Sequence, residues 1–517
     1  MAETTTGGIT FEFKHREEQK PRPGNNAPFH LLIMGNFSGA DFRQRADYPD
    51  IRERPWYRID CDDIDDVMGR IAPTLTLSAS DKAWQYTPKT IDDFHPDEIF
   101  ADFPPFQELK ILRRQLQNNS TFAQAASTLE QWLGIRPAEP SEPQAPQQSS
   151  AAEDEHQKAP ADGSLLDSIL DAGNQSTESP VSGDAATTAW LRDLVDEAVA
   201  PYTLPGKDPR QEDYLALLDR SISDLMRTLL HSPAFQSLES HWRGLDFILR
   251  RTTSESRLNI YLWDVCKEEL LADLAQQGNA TESDFYQRIA KEFAASDESL
   301  SAIVSSFDFG AKKQDALMLG IMAKLCSTLD CPFIANGDAS LAHSDNFFLS
   351  DDYRDWNTQW DPGFAQTWQA VRNMPESHYL ALAAPRFLIR YPYDAGHYGI
   401  ESFRFQELQN PVSRSELLWA PGAFAVAAVL ARSFNENGWQ MRPGDFTDLN
   451  RLPIAFFDED GQKEVIPNGE CFLTEIMFNR LCDSGLTPIT GLKNSDTLKV
   501  GPILGLHERS PLLGPWI

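Results

Sequence analysis

Cysteine is scarce in this 517-residue chain, which has only six: Cys61, Cys266, Cys326, Cys331, Cys471 and Cys482. None of them forms a C-x-x-C pair, and Cys326 and Cys331 have no nearby histidine at a spacing suited to a shared metal. Their number is far below that of a disulfide-stabilised scaffold. The sequence therefore predicts free thiols in a reducing compartment, which indicates a cytoplasmic protein.

Long apolar runs are also lacking. The longest, residues 420–430, contains Pro421 and Gly422 and is shorter than the roughly 20 residues that cross a bilayer. The N-terminus MAETTTGGITFEF has neither the basic nor the apolar segment of a secretion signal. We therefore expect no membrane insertion, and we expect the run to form a buried helix.

Positive charge is in short supply. The chain has 46 Lys and Arg against 77 Asp and Glu, a net charge of −31 and an isoelectric point near 4.7. A surface this acidic repels nucleic-acid phosphates and anionic lipids, so neither is expected as a partner. High solubility is the simplest consequence of the charge.

Motifs of catalytic and nucleotide-binding sites do not occur. The chain has no G-x-x-x-x-G-K-[ST], no G-x-G-x-x-G after a strand, no G-x-S-x-G and no H-E-x-x-H. A helix cap explains His95 beside Asp97, and packing explains His231 and His241, since no further ligand completes a metal set. We therefore expect no enzymatic activity, no cofactor and no metal.

Near the N-terminus the chain has a segment in which apolar and polar residues alternate. Residues 9–14 predict a half-buried strand, with Ile9, Phe11 and Phe13 as its apolar positions. A polar segment rich in Pro and Gly, HREEQKPRPGNNAP, follows. A strand isolated in this way must pair with a sheet elsewhere in the chain or in a neighbouring molecule; a mobile tail is the alternative.

The first third of the chain has the pattern of an α/β unit, predicted as a domain over residues 1–135. The apolar run at 29–37 predicts a buried strand that ends in a turn, and 60–71 predicts an amphipathic helix. Residues 98–116 predict two short helices broken by Pro104-Pro105, and 122–133 predict a last helix.

Residues 136–205 are predicted to be a flexible linker, because Pro, Gln, Ala, Ser and Glu dominate its first half. One short amphipathic helix is expected within it at 164–172, between a Ser N-cap and a Gly C-cap. Its apolar face consists of Leu165, Leu166, Ile169 and Leu170. A helix this short is marginal in water, so the face is either docked on the protein or held in a partner's groove.

Residues 206–517 are predicted as the second domain. A helical pair over 214–250 opens it, with Phe235, Trp242 and Leu245 as the expected packing anchors. Strand and helix patterns then alternate, which favours a partly parallel sheet. The predicted fold class is α/β (mixed α+β), with mixed sheets flanked by helices. Arg386 and Arg390 lie on one face of a predicted strand, and they are either solvated, paired within the chain or paired with acids of a neighbour.

The residues of both regions resemble the contractile sheath of the bacterial type VI secretion system. The first third resembles the small sheath subunit in FHLLIMGNFSG, RPWYRIDCDDIDDVMGRIAPTLTL and DDFHPDEIFADFPPFQELKILRRQL. The remainder resembles the large subunit in SLLDSIL, LHSPAFQSLESHWRGL, NIYLWDVCKEELLADL, YLALAAPRFLIRYPY and TEIMFNRLCDSGLTPITGLKNSD. The order of these segments agrees with the family.

This resemblance implies a structural component that packs around an inner tube, with two sheath-type lobes fused through a disordered linker. It implies assembly with copies of itself or other sheath subunits, and contact with a baseplate or cap. Residues 9–14 would be the arm that exchanges β-strands between neighbours. The helix at 164–172 would be gripped by the hexameric ATPase that recycles the sheath.

One departure from the family pattern lies at the C-terminal end. The large subunit extends well beyond the motif that stands here at 493–496, whereas this sequence continues only to residue 517. Two alternatives to a sheath subunit therefore stay open. One is a sheath-like component that ends the lattice at the baseplate or cap. The other is a non-polymerising adaptor for the ATPase.

Overall fold

The structure is a computed structural model. It describes residues 2–6, 9–13, 23–40, 45, 48–79, 82–133, 208–252, 257–276, 279–294, 298–348, 352–394, 399–409, 412–459 and 462–516. For the first two ranges it describes the backbone alone. The predicted linker and its short helix lie outside the described residues.

The elements of the described ranges alternate between helix and strand through most of the chain. The helices are α1 Ile64–Ile71, α2 Pro96–Asp102, α3 Pro104–Gln117, α4 Phe122–Leu133, α5 Gln211–Leu230, α6 Pro233–Leu249, α7 Lys267–Gln276, α8 Asp284–Glu292, α9 Lys313–Leu329, α10 Pro362–Arg372, α11 Gly422–Asn437 and α12 Glu475–Asp483.

The strands range from two to eight residues. They are β1 Ala2–Thr6, β2 Ile9–Phe13, β3 Phe29–Gly35, β4 Tyr57–Arg58, β5 Leu75–Ala79, β6 Lys82–Tyr86, β7 Leu258–Asp264, β8 Ala302–Phe309, β9 Phe333–Gly337, β10 Leu380–Ala384, β11 Phe387–Leu388, β12 Trp419–Ala420, β13 Asp448–Leu449, β14 Ala455–Glu459, β15 Gln462–Ile466, β16 Leu486–Gly491 and β17 Leu498–Val500.

One nine-stranded sheet organises the fold, in the order β13-β17-β16-β10-β9-β8-β3-β7-β4. The six strands from β16 to β7 run parallel, and antiparallel strands close both edges. Four further pairs, β1–β2, β5–β6, β11–β12 and β14–β15, form separate two-stranded sheets. The predicted mixed α/β class is confirmed.

Strand β3 occupies the middle of this sheet, although it comes from the first third of the chain. It pairs in parallel with β7 over all seven of its residues and with β8 over Leu31–Met34. All seven residues are buried, as the continuous apolar run predicts. Strands from both sides of residues 136–205 therefore share one sheet. The predicted domain borders remain predictions.

By its internal contacts the chain divides into two compact units. One comprises residues 1–107 and 219–517, and holds the large sheet. The other comprises residues 108–218. Inside this second unit, the Gln211 side chain donates to the Leu116 carbonyl at 2.6 Å, and Phe122 meets Tyr214 edge to face at 5.7 Å.

Helix α11 is the buried helix that the longest apolar run predicts. Every residue from Gly422 to Ala431 is buried, and the chain enters the helix at Pro421. Within the described ranges, no helix combines the length and apolar character needed to cross a lipid bilayer.

Gly244 of α6 sets the distance between α6 and α11. A Cβ at this position would lie 2.7 Å from Cε2 of Phe424 and closer still to Cδ2. We therefore expect Gly244→Ala to lower the free energy of unfolding by about 1–3 kcal/mol, the usual cost of overpacking a core. Urea-induced unfolding followed by tryptophan fluorescence measures the difference.

Gly69 of α1 provides the matched control. It also lies inside a helix, but a Cβ there meets nothing within 4 Å. Gly69→Ala should stabilise the protein by up to about 1 kcal/mol, because Ala is the better helix former. Equal effects of the two substitutions would show that the α6–α11 contact is not the constraint.

Candidate functional site

The predicted arm forms a strand, β2, within a two-stranded antiparallel hairpin. Its partner is β1, with Thr6 opposite Ile9 and Ala2 opposite Phe13. In the sequence, Gly7-Gly8 lies between the two strands. The sequence interpretation missed β1, although this glycine pair between two segments was the available indication. Among the described strands, β1 and β2 pair only with each other.

The predicted ATPase-docking residues lie outside the described residues. Leu165, Leu166, Ile169 and Leu170 therefore remain a prediction from the amphipathic pattern and the resemblance.

The three predicted packing anchors of α6 are fully buried: Phe235, Trp242 and Leu245 each have 0% exposure. The Trp242 indole N–H donates to the carbonyl of Phe37 at 2.9 Å, just after β3. The ring of Phe235 meets Phe94 edge to face, with centroids 5.6 Å apart. Helix α6 thus packs against two separate segments of the first third of the chain.

The turn that follows β3 binds a carboxylate. Asp264 at the end of β7 accepts hydrogen bonds from the backbone N–H of Phe37 at 2.8 Å and of Ser38 at 3.0 Å. Arg45 donates to the same oxygen at 3.0 Å. Two adjacent amides and a guanidinium form the kind of concave donor site that binds anions. Here the anion is a side chain of the protein itself, and it ties the end of β3 to β7.

A second carboxylate extends this network. Glu269 of α7 accepts from Arg45 at 3.0 Å and from Arg54 at 2.8 Å, and all three side chains are at least nine-tenths buried. Burial alone would raise the pKa of Glu269, but the hydrogen bonds from Arg54 and the charge of Arg45 outweigh it and lower that pKa below its usual value. Two arginines of the first third are thus bound to the start of α7.

A further buried network contains the second of the two predicted strand arginines. Arg390 pairs with Glu239 at 2.9 Å and with Glu407 at 2.8 Å. Burial acts to raise the pKa of Glu407, yet the Arg390 charge outweighs it and the pKa falls to about 2. Arg386 pairs with Glu470 at 2.5 Å. Of the alternatives left open by the sequence, pairing within the chain is the one observed.

In the described ranges, one group of side chains has the ligand types of a metal site: Asp60, Cys61 and Asp62. Both carboxylates are exposed, and Asp60 already accepts the backbone N–H of Asp62 at 2.8 Å. Such groups are ordinary on an acidic surface, and we assign no ion to this one.

Comparison with protein families finds two matches, one on each side of the predicted linker. The family model of VipB (EvpB), tail sheath N-terminal domain, matches residues 212–500, more than half of the chain. The family model of VipA of the type VI secretion system matches residues 8–134. Both matches are to structural sheath families.

A curated relative agrees with these matches. The chain is 27% identical over 323 residues to the type VI secretion system sheath protein TssC1 of Pseudomonas aeruginosa strain PAO1. The aligned region covers 60% of this chain. It spans 65% of the length of that relative, which is less than two thirds.

His241 of α6 generates a prediction about pH. Its ring Nδ1 donates to the Asn36 carbonyl at 3.3 Å, and burial lowers the pKa of this histidine from 6.5 to about 4. The unfolded chain therefore binds more protons between pH 4 and 6.5, and stability falls as the pH falls through this window. The contribution is about 3 kcal/mol at its full extent.

Replacing this histidine isolates its effect. In urea unfolding at a series of pH values, His241→Gln should show a shallower decline of the unfolding free energy from pH 6.5 to 4 than the parent chain. The carboxylates titrate in both proteins, so their contribution cancels in the comparison. An unchanged slope would contradict the assignment.

Proposed function

The chain belongs to the VipB tail sheath family, and from this premise we propose that it is a structural subunit of a type VI secretion contractile sheath. It carries the VipA-type region ahead of the VipB-type region, so it combines both kinds of sheath subunit in one polypeptide. Its role in this proposal is structural and is exercised in the cytoplasm.

The pairing of β3 is the observation that supports this proposal most directly. Strand β3 lies in the region that matches VipA, whereas β7 and β8 lie in the region that matches VipB. Hydrogen bonds join β3 to both neighbours in one sheet. A fused chain of this kind can act as one building block, because the two regions complete a common core.

The proposed partners follow from this role. Copies of the chain, or other sheath subunits, would be the lateral neighbours, and an inner tube protein would fill the lumen. A baseplate or cap would meet the ends of the lattice. Negative-stain electron microscopy of the purified chain, alone and with tube protein, tests the proposal. Tubes support it, whereas persistent monomers under all conditions would contradict it.

We propose that the N-terminal hairpin joins neighbouring subunits by strand pairing. Deleting residues 1–20 should abolish assembly, because the strand β2 and its backbone donors and acceptors are then lost. Sedimentation velocity and electron microscopy measure the loss. The large sheet does not include β1 or β2, so unfolding curves of the remaining chain should be unaffected.

A pair of proline substitutions tests the same point without shortening the chain. Phe11→Pro removes a donor and interrupts β2, whereas Gln19→Pro lies beyond the strand. Assembly should fail in the first variant and persist in the second. Assembly of both, or of the chain without residues 1–20, rules out the arm.

We further propose that the segment 164–172 binds the hexameric ATPase that recycles contracted sheath. Replacing Leu166 and Ile169 with Asp should abolish binding, because it puts charge on the predicted apolar face. The exchange of Asp167 and Asp171 for Asn is the control, since it leaves that face intact. Binding is measured by pull-down with purified ATPase, and unchanged binding of the double Asp variant refutes the assignment.

A further inference from the structure

The edge strand β13 presents alternate backbone groups to the outside of the large sheet. It pairs antiparallel with β17, with Asp448 opposite Lys499. The Val500 N–H donates to the Thr447 carbonyl at 2.8 Å, so Thr447 faces β17. Because successive residues of a strand face opposite sides of the ladder, the carbonyl of Asp448 and that of Asn450, just after the strand, face away from the sheet.

Both of these outward carbonyls accept hydrogen bonds from arginine side chains. Arg432 of α11 donates to the carbonyl of Asp448 at 3.3 Å. Arg251, just after α6, donates to the carbonyl of Asn450 at 3.0 Å. The two carbonyls are two residues apart, which is the spacing of the acceptors to which an added strand would bind. One arginine of α11 and one that follows α6 therefore occupy the positions at which a tenth strand would bind.

Each arginine is held in place by an aromatic ring. The Arg251 guanidinium lies 3.7 Å above the ring of Phe247, and that of Arg432 lies 4.4 Å above the ring of Phe446. Stacking of this kind fixes the plane of the guanidinium and reduces the entropy lost on hydrogen bonding. Burial and the nearby Arg451 charge lower the pKa of Arg251 to about 10, so it stays charged at neutral pH.

The opposite edge of the sheet is also a two-residue strand. Strand β4 consists of Tyr57–Arg58, and the acidic segment at 60–63 follows one residue later. Short strands and charge are common protection against unwanted strand pairing. Strand β13 is equally short, and hydrogen-bonded arginines lie on its outward carbonyls as well.

We propose that Arg251 and Arg432 close the β13 edge of the large sheet to strand pairing with a second copy of this chain. Strand pairing between copies is thereby confined to the other β elements of the molecule. The proposal rests on the geometry at β13 and does not depend on the sheath function.

The test is the double variant R251A/R432A, with R250A as the matched control. Arg250 is the adjacent arginine, but its side chain is 68% exposed and pairs with Asp246. Hydrogen exchange at the amides of Asp448 and Asn450 is measured at rising protein concentration. In the parent chain and in R250A their exchange should not depend on concentration.

In R251A/R432A these amides should become protected as the protein concentration rises, to about tenfold or more beyond their protection in R250A, because two backbone acceptors are freed. Urea unfolding establishes that the variant is folded. If the double variant does not fold, the single variants R251A and R432A carry the test, and each must show more protection than R250A. Folded variants whose exchange at 448 and 450 matches R250A overturn the proposal.

Assembly through the N-terminal hairpin does not interfere with the hydrogen-exchange measurement. The readout is confined to residues 448 and 450, whereas failure of the proposed sheath function appears as the absence of tubes.

Discussion

The fold depends on the seven hydrogen-bonded residues of β3. Without this strand, β7 and β8 would each lose a parallel neighbour, and the central core would be cut between them. Two exposed strand edges inside a hydrophobic sheet are a strong cause of aggregation. The parallel strands around β3 are therefore stable only when the first third of the chain is present. Having both regions in one polypeptide keeps the effective concentration of β3 high.

The electrostatic arrangement at the end of β3 strengthens this dependence. Numbered by their order in the chain and read across the sheet from β7 to β16, the six parallel strands stand as 2-1-3-4-5-6. The order therefore reverses beside β3. In doubly wound sheets the ends of the strands at such a reversal form a crevice that binds ligands. Here the amides of Phe37 and Ser38 in that region hold the carboxylate of Asp264. Arg45 connects the same turn to Glu269, which Arg54 also binds, so a position suited to a ligand serves as a structural joint.

Local sequence patterns predicted the elements better than their partners. The apolar run at 29–37, the Pro104-Pro105 break and the run at 420–430 correspond to β3, the start of α3 and α11, because burial and proline geometry act within a few residues. The pairing of β3 with β7 joins residues more than two hundred positions apart, and no periodicity encodes it. The same holds for the pairs of Arg45 and Arg54 with Glu269 and of Arg390 with Glu239, which join residues 151 to 224 positions apart. The hairpin strand β1 was missed because its Thr-rich sequence lacks apolar alternation.

A subunit that assembles by strand pairing must make some edges available and close others. Both edge strands of the large sheet have only two residues; β4 has acidic neighbours, and β13 has arginine-capped carbonyls. The two-stranded sheets β1–β2, β5–β6 and β14–β15 are separate from it. In the proposed assembly, a core with both edges closed does not pair with another core, and neighbours pair through the N-terminal hairpins. This proposal implies an order of assembly in which the core forms first from β3 and its neighbours, and the hairpins then link one copy to the next.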